Sequence, residues 1–249
     1  MILHFPSREE WLAWRVANKA DFIGASEAAA CAGVSPWDTP LELWKKKVGI
    51  TPYEDISDRE RVKYGSDAEE SITNLFALRF RGMFDVERHP YDIILDDKYP
   101  FIGATLDGYL TSTSGPMKIK SPTGYWGIIN PGERGVYEGK TSLLQRKGDF
   151  ENWDWQAPPY YFAQGCQQLY VTREWARYWI INAEVEIPNK WKEDGEWVDH
   201  PFYNKTETVR YVFFMDDPVV RQSITNVISS VVRMKRLVDA RQMPETKIA

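Results

Sequence analysis

Cysteine is scarce: Cys31 and Cys166 are the only two in 249 residues. At most one disulfide can form, and no four-cysteine zinc or iron–sulfur site can be built. A reducing cytoplasm is the expected setting. An excess of positive charge is also missing, with 31 Lys and Arg against 36 Asp and Glu. A sequence-independent coat for nucleic acid draws most of its affinity from phosphate neutralisation and is ordinarily basic. The balance disfavours that class and leaves room for a local basic groove. No run approaches the roughly 20 apolar residues of a membrane helix, so no membrane contact is expected. Met1 to Glu10 lacks the cationic, apolar and small-residue regions of a secretory signal. Neither a phosphate-binding P-loop nor a dinucleotide glycine fingerprint occurs, so no nucleotide cofactor and no built-in motor are expected. His4, His89 and His200 are scattered without metal-ligand spacing.

What is present is ordinary for a globular chain, 43% hydrophobic and 27% charged. One domain over residues 1–249 can bury a core of this size. Most of the 11 Trp are expected in it or at interfaces. Ser7 with Glu10, and Thr39-Pro40-Leu41-Glu42, read as capping boxes opening helices. Ser26 to Ala32 reads as a helix with Ser26 as N-cap, stopped at Gly33. Pro52 to Arg61 reads as a polar linker. Ser66-Asp67-Ala68-Glu69 opens a longer helix ending at Gly82, with Glu69 able to complete a capping box on Ser66. Asp85–Pro90, Tyr91–Leu95 and Phe101–Leu110 read as strands. Thr111 to Arg134 has no sustained period and reads as an inserted loop. Val136–Thr141 is a strand, Pro159–Thr172 a helix, and Trp175–Ala183 and Thr208–Met215 are strands. Asn189 to Lys205 is a polar excursion. Asp217-Pro218 starts a final amphipathic helix. The expected class is mixed α/β or α+β, a central mixed sheet flanked by helices.

Glu138 and Lys140 are the most informative pair. Two apart on a strand, their side chains share a face while Gly139 points away. A carboxylate beside an ammonium, with a further carboxylate from Asp107, suits metal-assisted phosphodiester cleavage. Carboxylates hold a hard divalent cation, and the ammonium stabilises charge developing on phosphorus.

Asp107 followed by Glu138-Gly139-Lys140 resembles the core of the PD-(D/E)XK nucleases, a restriction-endonuclease-like fold. More narrowly, five blocks resemble the lambda exonuclease and YqaJ-type viral recombinase group. They are Phe22-Ile23-Gly24-Ala25-Ser26-Glu27, Tyr64 to Glu69, Ala104-Thr105-Leu106-Asp107-Gly108, Glu138 to Thr141, and Pro159 to Gln164 continued by Leu169-Tyr170-Val171-Thr172. They keep the group's order across roughly residues 10–183. Leu106 replaces the group's usual Pro, and Cys166 stands where a second Gln is common. Asp107 and Glu138 are also further apart than the group's usual ten or so residues, a gap the Thr111–Arg134 insertion explains. A rival motif, Lys118-Ile119-Lys120-Ser121-Pro122, sits at the usual spacing but would replace the metal-binding Glu with Lys. Glu138/Lys140 is the preferred reading.

The resemblance implies a Mg²⁺-dependent deoxyribonuclease, with Mn²⁺ able to substitute. It implies a 5′-to-3′ exonuclease on double-stranded DNA ends that leaves 3′ single-stranded tails for recombination. Asp107, Glu138 and the Gly139 carbonyl would hold metal, supported by Glu69. Lys140 and Gln164 would complete the catalytic set. Lys19, Ser26 and Thr105 would hold a terminal 5′-phosphate, with Arg15 an alternative to Lys19. A single-strand annealing protein as partner, a homotrimeric ring and a phage setting in a host cytoplasm are implied likewise. Two other readings stay open: a structure-specific endonuclease or other end processor of the same fold, and a catalytically silent DNA-end-binding subunit. The pair Trp153 and Trp155 is expected to pack rather than wedge between bases.

Overall fold

The structure is a computed structural model, described here for residues 1–54, 56, 58–141, 153, 156–187, 190–193, 196–199 and 205–245. Thirteen strands and six α-helices are present among these residues. The N-terminal part carries β1 (Ile2–His4), α1 (Arg8–Ala17), β2 (Ile23–Gly24), α2 (Ala28–Cys31), α3 (Pro40–Lys47) and α4 (Glu60–Arg79). Next come β3 (Phe84–Glu87), β4 (Asp92–Leu95), β5 (Ile102–Ala104), β6 (Gly108–Ser112), β7 (Met117–Lys120), β8 (Trp126–Ile129) and β9 (Arg134–Thr141). The remainder is α5 (Pro159–Val171), β10 (Ala176–Ile187), β11 (Lys190–Glu193), β12 (Glu196–Asp199), β13 (Lys205–Phe214) and α6 (Pro218–Asp239). This is the mixed α/β class expected. None of the described helices is long and apolar enough to cross a membrane.

The main sheet runs β13-β10-β9-β6-β3, and a smaller one runs β1-β4-β5-β2. Strand β9 pairs parallel with β10, and α5 lies between them in sequence, while β6, β3 and β13 join antiparallel. Helix α5 is pressed onto β10: a Cβ on Gly165 would come within 2.6 Å of the Trp179 ring. One layer of the core gathers Val136, Leu169, Trp179, Val220 and Val231 between the main sheet and helices α5 and α6. The opposite face of β9 presents Tyr137 to Phe76 of α4.

Several local expectations are met. Thr39 and Glu42 form the reciprocal capping box of α3, and Asp217 caps α6. Ser7 caps α1 by accepting from the Glu10 N–H. Others differ, for physical reasons. Helix α4 starts at Glu60, because Glu60-Arg61-Val62-Lys63 are competent helix formers and an interior Gly65 costs only about 1 kcal/mol. Ser66 and Glu69 are therefore mid-helix, and Glu69 caps nothing. Phe101–Leu110 is two strands in two sheets, broken at Thr105-Leu106-Asp107. The Thr111–Arg134 segment contains the antiparallel ribbon β7–β8. Its alternation is only four residues long on each side, too short to stand out among Ser, Thr, Pro and Gly. Trp153 is buried, as expected for a packing residue. Trp155, His200 and the Asp-Gly of the polar excursion lie outside the described residues.

Candidate active site

Asp107 sits on the short link from β5 to β6, where the chain passes from the small sheet to the large one. Strand β9 lies beside it, with Gly108 opposite Tyr137. The Gly139 N–H donates to Asp107 Oδ2 at 2.9 Å, tying the link to the middle of the Glu138-Gly139-Lys140 sequence. Alternation along β9 places Glu138 and Lys140 on one face, and the Lys140 ammonium donates to Glu138 Oε1. That face looks toward α5. From α5, Gln164 donates to Glu138 Oε1 and Gln168 donates to Oε2 at 2.5 Å. Gln164 and Gln168 are four apart, one helical turn, so both amides meet the same carboxylate.

Glu138 is 1% exposed, and a buried carboxylate needs such donors. Burial pushes the Asp107 carboxyl well above the usual carboxylate range. The Glu138 charge adds to this, and Lys140 opposes it. Burial would lower the Lys140 ammonium, but the charges of Glu138 and Asp107 reverse this and raise it on balance. Lys140 stays charged at neutral pH, 5.3 Å from the centre of the Tyr161 ring.

Among the described residues no group of three or more His, Cys, Asp and Glu side chains lies at metal-binding distance. Asp107, Glu138 and the Gly139 backbone offer hard oxygens from two carboxylates and a carbonyl. Magnesium accepts one or two carboxylates and keeps several waters, so the donor chemistry fits that ion and not a four-ligand zinc site. The Glu138 repulsion that adds to the effect of burial on Asp107 is what a bound cation would relieve.

A cleft of about 420 Å³ opens beside Asp107 and Gln164. Its walls include Arg8, Trp11, Arg15, Ser26, Glu69, Arg88 and Thr105. The Trp11 indole donates to Thr105 Oγ1 at 3.2 Å, and the Arg15 guanidinium lies 4.7 Å from the Trp11 ring centre. Burial lowers the Arg15 pKa, with Glu27 and Tyr53 offsetting part of it, and the guanidinium remains a cation. Ser26 is exposed to the cleft within a 3₁₀ turn, Ala25–Glu27. It is not the N-cap expected, because the Glu27 carboxylate takes the Gly24 N–H at 3.1 Å. Helix α2 has four residues, too short for a dipole argument, so anion affinity here falls to side chains.

The structure thus brings Asp107, Glu138, Gly139, Lys140 and Gln164 together, with Arg15, Ser26, Thr105 and Glu69 around one cleft. Lys19 does not line it; its ammonium lies 5.7 Å from the centre of the Tyr53 ring. The rival Lys118-Ile119-Lys120 lies on the separate β7–β8 ribbon. Sequence reasoning missed Arg88, which pairs with Glu69 at 3.2 Å and Glu70 at 3.9 Å. It missed Gln168, although Gln164-Gly165-Cys166-Gln167-Gln168 carries the one-turn spacing that signals a shared face. It also missed the buried Lys47, whose ammonium holds Glu27 and the carbonyls of Lys19 and Phe22.

The profile of the YqaJ-like viral recombinase domain matches residues 10–174, well over half of the chain. The chain belongs to this family. The matched span covers Asp107, the Glu138–Lys140 strand and α5, and all of the cleft residues named above except Arg8. Among solved structures, the alkaline exonuclease LHK-Exo from Laribacter hongkongensis in complex with dAMP is similar in fold. The TM-score is 0.51 at 14% identity, covering 94% of this chain and 95% of that one. A second structure of LHK-Exo has a TM-score of 0.49 at the same identity and coverage. No curated protein sequence matches the chain.

Proposed function

We propose that this protein is a Mg²⁺-dependent deoxyribonuclease acting as a 5′-to-3′ exonuclease on double-stranded DNA ends, in the service of recombination. The observation that carries the reading is the convergence of Asp107, Glu138 and Lys140 beside a cleft whose walls carry Arg8 and Arg15. Neither Arg8 nor Arg15 has an ion-pair partner among the described residues. Membership of a viral recombinase family supports the recombination role.

Asp107, Glu138 and the Gly139 carbonyl would hold the cation. When bound, it supplies Lewis-acid polarisation of the phosphoryl group and activation of water. Gln164 and Gln168 keep the Glu138 carboxylate from turning. Lys140 places a fixed positive charge where negative charge develops on the phosphoryl oxygens. Arg15, Ser26 and Thr105 would hold a terminal 5′-phosphate, a role supported by the Trp11 contacts to both Arg15 and Thr105. Phosphate contacts of this kind carry no base information, so low sequence specificity follows. Double-stranded DNA ends are the substrate in this reading, and a single-strand annealing protein would take up the tail.

The test is digestion of 5′-phosphorylated, 5′-hydroxyl and circular duplexes with Mg²⁺, with the product ends mapped. Mononucleotides released from 5′ ends of linear duplex, with circles intact, support the reading. Cleavage of circles would assign an endonuclease, and no Mg²⁺-dependent hydrolysis of any substrate would overturn the enzyme.

A further inference from the structure

The Lys118-Ile119-Lys120 sequence is left over by the active site, and its ribbon has two distinct faces. Lys118 pairs with Ile128 and Lys120 with Trp126 across β7 and β8. Met117, Ile119 and Ile129 turn inward onto the cluster containing Tyr137 and Phe214. A Cβ on Gly127 would come within 2.5 Å of the Phe214 ring, so the ribbon lies flush on the main sheet. The other face carries Lys118, Lys120, Trp126 and Ile128, all exposed, with Trp126 at 55%. The ammonium groups of Lys118 and Lys120 lie 5.1 and 6.0 Å from the Trp126 ring centre. Among the described residues neither lysine has a carboxylate partner.

We propose that this face binds single-stranded DNA, namely the strand left behind as its complement is digested; the second half of that statement rests on the nuclease reading above. A base can stack on the exposed indole while its phosphates meet the two ammonium groups, the combination of aromatic platform and positive charge that single strands use. The uncompensated charge is local in a chain of net charge -5, so it marks this face for an anionic polymer. Strands β6 and β9 connect the face to the site, running from Asp107 and Glu138 to the two ends of the ribbon segment. At about 3.3 Å per residue the strands put the ribbon on the order of 20 Å from the carboxylates, on the opposite face of the main sheet, so a strand leaving the cleft would pass round the sheet to meet it.

The probe is a short 3′-labelled oligo(dT), measured by fluorescence anisotropy in EDTA across a salt series. Trp126→Leu keeps apolar bulk but removes the aromatic face, and is expected to weaken binding on the order of tenfold. Trp126→Phe should keep most of the affinity. Lys118→Ala with Lys120→Ala should flatten the slope of log affinity against log salt by about 1.4, the value for two phosphates on a single strand. Arg15→Ala reports the cleft's own share of binding, and its loss should add to that of the ribbon variants. Thermal melts check that these exposed substitutions leave the fold in place. Wild-type binding by Trp126→Leu, or an unchanged slope in the lysine double variant, would overturn the proposal and leave the face without a nucleic-acid role. Binding is read without turnover. A chain that binds through the ribbon but hydrolyses nothing sinks the nuclease reading alone, and a chain that digests DNA with ribbon variants binding normally sinks this proposal alone.

Discussion

The Trp179 indole donates to Gln168 Oε1 at 2.8 Å, and this bond decides which end of the Gln168 amide faces Glu138. With its oxygen engaged, the amide nitrogen is left to donate to the carboxylate. Gln168→Leu removes a buried bond to a charged group, an interaction of roughly 1.5–3 kcal/mol. Turnover is expected to fall at least about tenfold, with a higher Mg²⁺ concentration needed for half-maximal rate. Trp179→Phe frees the amide to flip and should move the Mg²⁺ dependence the same way. Calorimetric titration with Mg²⁺ gives a readout apart from activity. An unchanged metal affinity in both variants would reduce Gln168 to a packing residue.

Asp107→Asn and Glu138→Gln should each abolish most Mg²⁺- or Mn²⁺-supported turnover, while duplex binding is kept or strengthened as negative charge near phosphate is lost. EDTA should stop digestion. Ca²⁺ should bind without supporting it, since its looser coordination places the attacking water less well. Gel assays of hydrolysis beside filter binding check both halves, and full activity in chelator is the result that sinks the metal mechanism.

Lys140→Ala should slow the chemical step at least about 100-fold, the scale of losing one preorganised electrostatic contact to the transition state. Single-turnover rates at saturating DNA isolate that step. A change confined to KM would place Lys140 in substrate binding instead.

Arg15→Ala should shrink the preference for a 5′-phosphorylated over a 5′-hydroxyl duplex more than it slows the 5′-hydroxyl reaction. A terminal phosphate carries more charge than an internal diester and gains more from a guanidinium fork. Lys19→Ala, outside the cleft, should leave the preference intact. Rates on the two duplexes measured side by side decide it, and the opposite pattern would return the phosphate to Lys19.

Lys47 is 4% exposed, and its ammonium bonds Phe22 O at 2.6 Å, Glu27 at 2.8 Å and Lys19 O at 2.9 Å. Removing one partner of a buried ion pair costs about 3–5 kcal/mol. Lys47→Ala should therefore lower the urea midpoint clearly, and equilibrium unfolding by circular dichroism measures it. A loss below about 1 kcal/mol, the ceiling usual for exposed pairs, would show that water reaches this site.

Two of the features that were misread from sequence share a cause. Helix α4 was expected to open at Ser66 because Ser-x-x-Glu is a strong local signal, yet the signal competes with the upstream run Glu60-Arg61-Val62-Lys63, which can start the same helix earlier. Phe101–Leu110 was expected as one strand because its apolar residues run on. The chain instead changes sheets at Thr105-Leu106-Asp107, a decision made by which partner strand is available at each end.

Local chemistry was sufficient for much else. The capping box of α3, the Ser7 cap of α1, the helix of Pro159–Val171 and the period-2 placement of Glu138 beside Lys140 follow from interactions a few residues long, which a sequence displays directly. The order of the motif blocks pointed to the family for the same reason. Which cation joins Ser26 and Thr105 is a different kind of question. Arg15 and Lys19 both flank the end of α1, and only the packing of Trp11 against Thr105, 94 positions away, selects Arg15. Gln168 reaches Glu138 because Trp179, on the neighbouring strand, turns its amide. Such contacts join residues far apart in the chain, and their energies exist only once the sheets have paired. The sequence determined the side chains that could do the chemistry; the tertiary structure decided which of them meet.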